Sequence, residues 1–460
     1  MLMAERGPAP ELATARCLEN LIDPSRPLLL AVSGGSDSMG MLLAFHRTVT
    51  GAHPGIRISA ATVDHRLRPE AADEAAAVAA LCASLGIDHR ILPWISEKPS
   101  SGIQAAARLA RYSLLADEAG RIGAGAVLTA HTLDDQFETV QMRAARQGDT
   151  DAFGSAGMAP QMLFEKKTWV VRPFLNCRRE DLRHYLKAQG VDWIDDPSNA
   201  DPRFERVRQR SKTSLDTSDE REFLRRTETA AIMRGDRAEL VAAAIDAHAS
   251  QWRCTLFVMR DDGTLSQSLF AEAVAELIAL AGGLVYPIAG PKMVKLQTFL
   301  DEAKPGSRLA LGRCIVMRRA GNVLIWREDR GFTNLIVEPR GAGLWDGRFR
   351  VENATDRPVL ITRTAPMTDS EDLDVPDAAT PSIAAAACSA LPRALFASLE
   401  PGESRGGWPG IQPIPVIARY DTFLPVFERT IGVALTRLLG LKPYPAPPLA
   451  TVNLDRMMRQ

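Results

Sequence analysis

Ser33-Gly34-Gly35-Ser36-Asp37-Ser38 follows the apolar run Leu28-Leu29-Leu30-Ala31-Val32 and precedes an amphipathic stretch. Adjacent glycines permit positive φ and close backbone approach, so successive N–H groups can point inward at an anion. A helix starting there would aim the positive end of its dipole at the same anion. A Walker loop needs a lysine before its final Ser/Thr, and none is present here. The chemistry indicated is a grip on pyrophosphate rather than transfer of a γ-phosphate. The hydroxyls of Ser33, Ser36 and Ser38 can donate to phosphate oxygens. Asp37 cannot, and a bridging Mg²⁺ best explains a carboxylate beside a phosphate site.

Three further constellations carry chemistry. Asp64-His65-Arg66-Leu67-Arg68 reads as a nucleotide-contacting loop, with His65 near base or ribose, against the alternative of a solvated loop. Arg108 and Arg111, at i and i+3, share a helical face suited to bidentate binding of phosphate or carboxylate; a surface salt-bridge face is the plainer reading. His131, Asp134, Asp135 and Glu138 form the sharpest cluster, and the spacing lets one helical face carry His131, Asp135 and Glu138. One histidine with carboxylates suits Mg²⁺ or an ammonium ion better than Zn²⁺, and a helix cap is the alternative. Asp195-Asp196-Pro197-Ser198-Asn199, then Arg203, Arg206, Arg208, Arg210 and Lys212, make a turn followed by a basic stripe. Such runs are usually solvated, but this one suits an RNA backbone.

These residues need elements to position them. Strands are expected over 28–32, 58–63, 89–92, 126–129 and 169–172, with helices over 36–46, 71–85, 105–118 and 135–143. That alternation predicts an α/β domain, a doubly wound, mostly parallel sheet. Ligands in such folds sit beyond the carboxyl ends of the strands, which brings residues 33–38, 64–65 and 131–135 to one crevice. Beyond it, 204–249 reads as helical with a capping box at Thr217 to Glu220. A hairpin is expected around Asp262-Gly263, with Leu256–Val258 and Leu265 on its arms. Helices to Leu300 and strands over 309–326 follow. The expected domains are 1–212, catalytic; 213–330, a mainly helical α+β domain; and 331–460, a smaller C-terminal mixed segment, partly linker-like over 364–410.

Composition narrows the class. The 460 residues carry 46% hydrophobic and 24% charged residues, an ordinary globular balance. A formal net charge of −1 excludes bulk polyanion affinity, so any nucleic-acid contact must be local. Six cysteines without a Cys-x-x-Cys pair argue against a metal cluster, redox chemistry or a disulfide framework. No signal peptide or 18-residue apolar run is read, which gives a cytoplasmic protein without membrane partners as the expectation.

Taken together, Ser-Gly-Gly-Ser-Asp-Ser, Val63-Asp64-His65-Arg66-Leu67-Arg68, Ala-Ala-Arg108-x-x-Arg111-Tyr112, Thr129-Ala130-His131 with Asp134-Asp135 and Glu138-Thr139, Arg172-Pro173, and Asp196-Pro-Ser-Asn199-x-Asp201 resemble the tRNA(Ile)-lysidine synthetases of the PP-loop (N-type ATP pyrophosphatase) superfamily. The resemblance covers residues 26–212 and, more loosely, a tRNA-binding region at 215–330. It implies a C–N ligase whose substrates are ATP, with Mg²⁺, free L-lysine and an isoleucine tRNA with a CAU anticodon. ATP adenylates C2-O of the wobble cytidine, and the lysine amine then displaces AMP to give lysidine. By the same resemblance, Asp37, Arg111, Asp135, Glu138 and Arg206 are catalytic, and Ser33–Ser38, Asp64 and His65 bind ATP. His131, Asp134, Arg108, Asn199 and Arg210 are then candidates for binding lysine or tRNA. The rival readings are a 2-thiocytidine synthase or another PP-loop amidation, and a non-catalytic nucleotide- or RNA-binding protein.

Overall fold

A computed structural model describes residues 9–67, 70–147, 154–194, 217–319, 321–364, 375–396 and 410–450. The expected sites at Arg68, Asp195, Asp196, Asn199, Asp201, Arg203, Arg206, Arg208, Arg210 and Lys212 lie outside the described residues. Two compact units divide the chain: Met1–Gly235 with Pro425–Phe427 and Pro445–Gln460, and Asp236–Leu424 with Glu428–Tyr444.

In the first unit the elements are α1 (Pro10–Glu19), β1 (Leu28–Ala31), α2 (Ser36–Ala52), β2 (Ile58–Asp64), α3 (Ala71–Ser84), β3 (Asp88–Pro93), α4 (Ile103–Ile122), β4 (Ala126–Leu128), α5 (Leu133–Gln147), β5 (Gln161–Phe164), β6 (Thr168–Val171) and α6 (Arg179–Ala188). Its strands run in the order β5-β6-β4-β1-β2-β3. β1 pairs in parallel with both β2 and β4, Leu30 opposite Ala60 on one side and Leu128 on the other. A strand flanked this way must be apolar on both faces, and Leu28, Leu29 and Leu30 are at most 1% exposed. The chain runs outward from β1 through β2 and β3, then returns to the opposite side of β1 as β4. The strand order therefore reverses between β1 and β4, and the crevice opens there, beyond their carboxyl ends.

Two elements escape the periodicity of the sequence. β5 runs antiparallel to β6, turning through Glu165 and Lys166 at φ 47° and 59°. α6 follows β6 and packs on α2 so closely that a Cβ on Gly40 would stand 2.8 Å from Leu182 Cδ2.

A long helix, α7 (Thr217–His248), begins at the expected capping box. The second unit then builds an antiparallel sheet, β7 (Ala249–Trp252), β8 (Leu256–Arg260), β9 (Arg308–Leu311), β10 (Cys314–Arg319) and β11 (Asn322–Arg327), in the order β7-β8-β11-β10-β9. The hairpin expected across Asp262-Gly263 does not form. β8 already has β7 and β11 on its two sides, and Asp262 Oδ1 accepts from the Thr264 amide at 3.1 Å, turning the chain toward helix α8 (Gln267–Gly282). Within the stretch expected to be linker-like, Pro381–Cys388 is a helix that buries Ile383 and Ala387 against Leu256, Leu324 and Trp326. Small alanine side chains let this helix pack closely on that sheet. The Asp346 carboxylate is 1% exposed, paired with Arg313 and Arg327 across the expected boundary at 330 and with Arg348 on its own side.

Candidate active site

The glycine-rich turn leaves β1 and enters α2. Gly34 sits at φ +85°, and a Cβ there would also stand 3.0 Å from Ile194 Cδ1. The Ser33 amide donates to Ser38 Oγ at 3.0 Å, and Ser38 Oγ donates to the Gly35 carbonyl at 3.0 Å, fixing the turn from within. No side chain caps α2, so its first-turn amides face the crevice mouth with the helix dipole behind them. The Ile194 amide donates to the Gly34 carbonyl at 3.0 Å. The chain therefore departs for the basic stripe from a point against the loop.

Four charged side chains converge beside that turn, from α2, α5 and α6. Arg179 reaches Asp37 Oδ2 through Nε at 2.9 Å and Asp135 Oδ1 through Nη2 at 3.1 Å, with Nη1 3.9 Å from Glu138 Oε1. Asp135 also accepts from the Thr132 amide and hydroxyl, both at 2.9 Å, so part of its work is to cap α5. Burial alone would raise the Asp135 carboxyl, but Arg179 and His131 outweigh it and hold the group below the ordinary range. For Asp37 burial wins: its carboxyl is raised despite Arg179. Asp134 turns away from this group. Its Oδ2 accepts the backbone N–H of Arg179 at 2.8 Å, and its Oδ1 lies 3.7 Å from Arg178 Nη1.

His131 does not share a helical face with Asp135 and Glu138, because α5 begins only at Leu133. It stands in the β4–α5 connection, with Nδ1 3.0 Å from Thr129 Oγ1.

A second group lies where the end of β2 meets the middle of α4. Arg111 Nη2 stands 3.5 Å from His65 Nε2, and the His65 ring packs edge-on against Trp94 at 6.0 Å. Burial, helped by Arg111 and Lys98, pushes the His65 imidazole down to about 4. Asp64 Oδ1 accepts the Arg66 amide at 2.8 Å and shapes the turn. Arg108 is engaged elsewhere, lying over the Tyr112 ring at 5.1 Å. Arg172 is 5% exposed and donates to the Ala159 carbonyl at 2.6 Å, a structural tie rather than a ligand contact.

Sequence reasoning missed Arg179 and Arg183. Both project from α6 onto the start of α2, Arg183 Nε lying 3.2 Å from Ser36 Oγ. One signal was available: Arg179 opens a helix, where the dipole disfavours a cation, and such local violations mark functional positions.

For Mg²⁺, Asp37 offers a hard oxygen donor whose charge remains undercompensated by Arg179, and phosphate oxygens on the loop would complete an all-oxygen shell. Asp37 fits such an ion held jointly with a phosphate ligand; among the described residues no cluster of three His, Cys, Asp or Glu fits a metal held by protein alone. For sulfur transfer, the cysteine beside the Arg178-Arg179 pair, Cys177, is buried, and burial pushes its thiol up to about 12, which favours the protonated form over the thiolate that sulfur transfer uses. No helix among the described residues is long and apolar enough to cross a membrane.

A family model described as a PP-loop domain matches residues 10–214. The tRNA(Ile)-lysidine synthase of Rhizobium meliloti (strain 1021) is 38% identical over 462 aligned residues, covering 96% of this chain and 98% of that protein. The tRNA(Ile)-lysidine synthase of Mesorhizobium japonicum is 36% identical, covering 97% and 99%. A solved U34-tRNA thiolase from Methanococcus maripaludis aligns with 47% of this chain and 79% of that one, at 14% identity and a TM-score of 0.37, too distant to inform the site. With a glycine-rich loop between β1 and α2, carboxylates from α2 and α5 gathered beside it, and relatives matched over 96–99% of their lengths and its own, the chain belongs to the tRNA(Ile)-lysidine synthase family.

Proposed function

We propose that this chain joins free L-lysine to C2 of the wobble cytidine of an isoleucine tRNA with a CAU anticodon, at the expense of ATP, in the cytoplasm. The observation that carries the reading is the gathering of Asp37, Asp135 and Glu138 around one guanidinium directly beside the Gly34-Gly35 turn. The reaction needs a pyrophosphate grip and a site for a cationic amine, and the arrangement supports both.

In the first step the cytidine O2 attacks the α-phosphorus of ATP, an O–P bond forms and pyrophosphate leaves. The amides of residues 34–37 and the hydroxyls of Ser33 and Ser36 stabilise the charge that develops on the leaving group, while Ser38, whose hydroxyl donates to the Gly35 carbonyl, holds the turn in shape. Mg²⁺, when bound at Asp37, supplies further neutralisation of phosphate charge. Asp64 and His65 lie on the nucleoside side, where a neutral imidazole accepts or donates one hydrogen bond without adding charge. In the second step the lysine ε-amine forms a C–N bond at C2, the C2–O bond breaks and AMP departs. Lysine enters as an ammonium ion and must lose a proton before attack and another afterwards. Asp135, held ionised, anchors the ammonium; Glu138, one turn along α5, takes the first proton, and the departing AMP phosphate carries away the second. Arg111, with Arg108 behind it, holds phosphate or the lysine carboxylate.

The stripe that begins beyond Ile194 would bring RNA to this crevice, with Asn199, Arg206 and Arg210 as contacts. His131 and Asp134 bear on lysine binding through Asp135 and Arg179. Residues 213–330 are proposed to bind the body of the tRNA, and 331–460 to serve as an accessory domain. The test is nucleoside analysis of CAU-anticodon tRNA after incubation with protein, ATP, Mg²⁺ and lysine. A lysine-dependent mass gain on cytidine supports the reading, and its absence removes it.

A further inference from the structure

We propose that Arg179 is a positioning residue that couples the nucleotide and lysine halves of the site, by serving as shared counter-ion to Asp37 and Asp135 until nucleotide draws it to the loop. This rests on the lysine-ligase reading above.

A guanidinium presents its nitrogens in a fixed planar fork, and here each of the three faces a different carboxylate: Nε Asp37, Nη2 Asp135 and Nη1 Glu138. Asp37 belongs to the loop at the start of α2, whereas Asp135 and Glu138 belong to α5. The base of the side chain is anchored, because the Arg179 amide is held by Asp134 at 2.8 Å. Only the long flexible end can move, and it can shift its weight from one carboxylate to another. Its 17% exposure places it in a largely desolvated pocket, where charge competition is strong.

Two cations therefore compete for one group of carboxylates. With the loop empty, Arg179 occupies the face of Asp135 that a lysine ammonium would use. Nucleotide adds several negative charges at the loop and pulls the guanidinium toward the phosphates. Asp135 and Glu138 are then released to the incoming ammonium. The sign is fixed: nucleotide strengthens lysine binding, and by linkage lysine strengthens nucleotide binding by the same factor.

The test is the Kd of the full-length protein for L-lysine, with and without a nonhydrolysable ATP analogue and Mg²⁺. Wild type should bind lysine about 5-fold or more tightly with the analogue. In Arg179→Gln no cation competes, so lysine binding without nucleotide should tighten toward the analogue-bound value and lose its dependence. Arg179→Lys keeps the charge but has a single donor head, and should retain a reduced coupling whether or not the glutamine variant folds. A wholly structural arginine would instead weaken both lysine affinities together. Equal lysine affinity in wild type under both conditions overturns the coupling and leaves lysidine formation standing, as does undiminished coupling in both variants. No lysine binding to wild type in either condition overturns both.

Discussion

The backbone N–H of Arg179 donates to Asp134 Oδ2 at 2.8 Å, so an acid from the first turn of α5 caps the first turn of α6. This contact sets where the guanidinium begins its reach toward Asp37. Asp134→Ala should cost about 1 kcal/mol through the lost cap, read as a fall in Tm of about 2–4 °C. Turnover should fall with it, because Arg179 loses its anchor. An unchanged Tm would show that the cap contributes nothing.

Gly157 should tolerate no side chain. It sits at φ +61°, and a Cβ there would stand 2.3 Å from Gln136 Oε1, which accepts the Met158 amide at 2.5 Å. Gly157→Ala must push Gln136, and with it the helix carrying Asp135 and Glu138. Gly190→Ala is the control, with φ +68° and nothing within 4 Å. Urea denaturation should show the first variant less stable than the second by at least about 1 kcal/mol. Equal loss would mean that backbone strain accounts for both.

How far the sequence foretold this site follows from where its parts lie. Asp37, Asp135 and Glu138 were legible because each sits just beyond a short apolar strand, and strand–loop–helix order alone sends such residues to one crevice. Arg179 was not. It stands 142 residues from Asp37 and follows the antiparallel β5–β6 excursion, which period-2 and period-3.6 patterns do not announce. In the run Arg178-Arg179-Glu180-Asp181 it reads as a solvated helix start. The expected strand at Leu265 failed for a related reason: local turn chemistry was present, but β8 already had a partner on each side.

Glu138→Gln separates anchoring from proton transfer. The amide keeps the shape and loses the basicity, so kcat should fall about 10²- to 10⁴-fold while the KM for ATP changes little. A kcat within a factor of two of wild type would remove Glu138 as proton acceptor.

His65 should stay neutral through the physiological range. With a folded value near 4 against an ordinary 6.5, the neutral ring is the form folding favours. Its contribution to stability is full above about pH 6.5 and is lost as pH falls through that value toward 4. Titration of the His65 ring followed by NMR should show its midpoint below pH 5. A midpoint at 6 or above would place the ring in a wetter or more acidic setting than Arg111, Lys98 and Trp94 provide.

Mass analysis of nucleosides from CAU-anticodon isoleucine tRNA reads out whether this crevice builds lysidine. With protein, ATP, Mg²⁺ and isotopically labelled lysine, label should appear on cytidine and be abolished by Asp37→Ala and by Asp135→Ala. Unlabelled cytidine with wild type, or undiminished labelling with either variant, would contradict it.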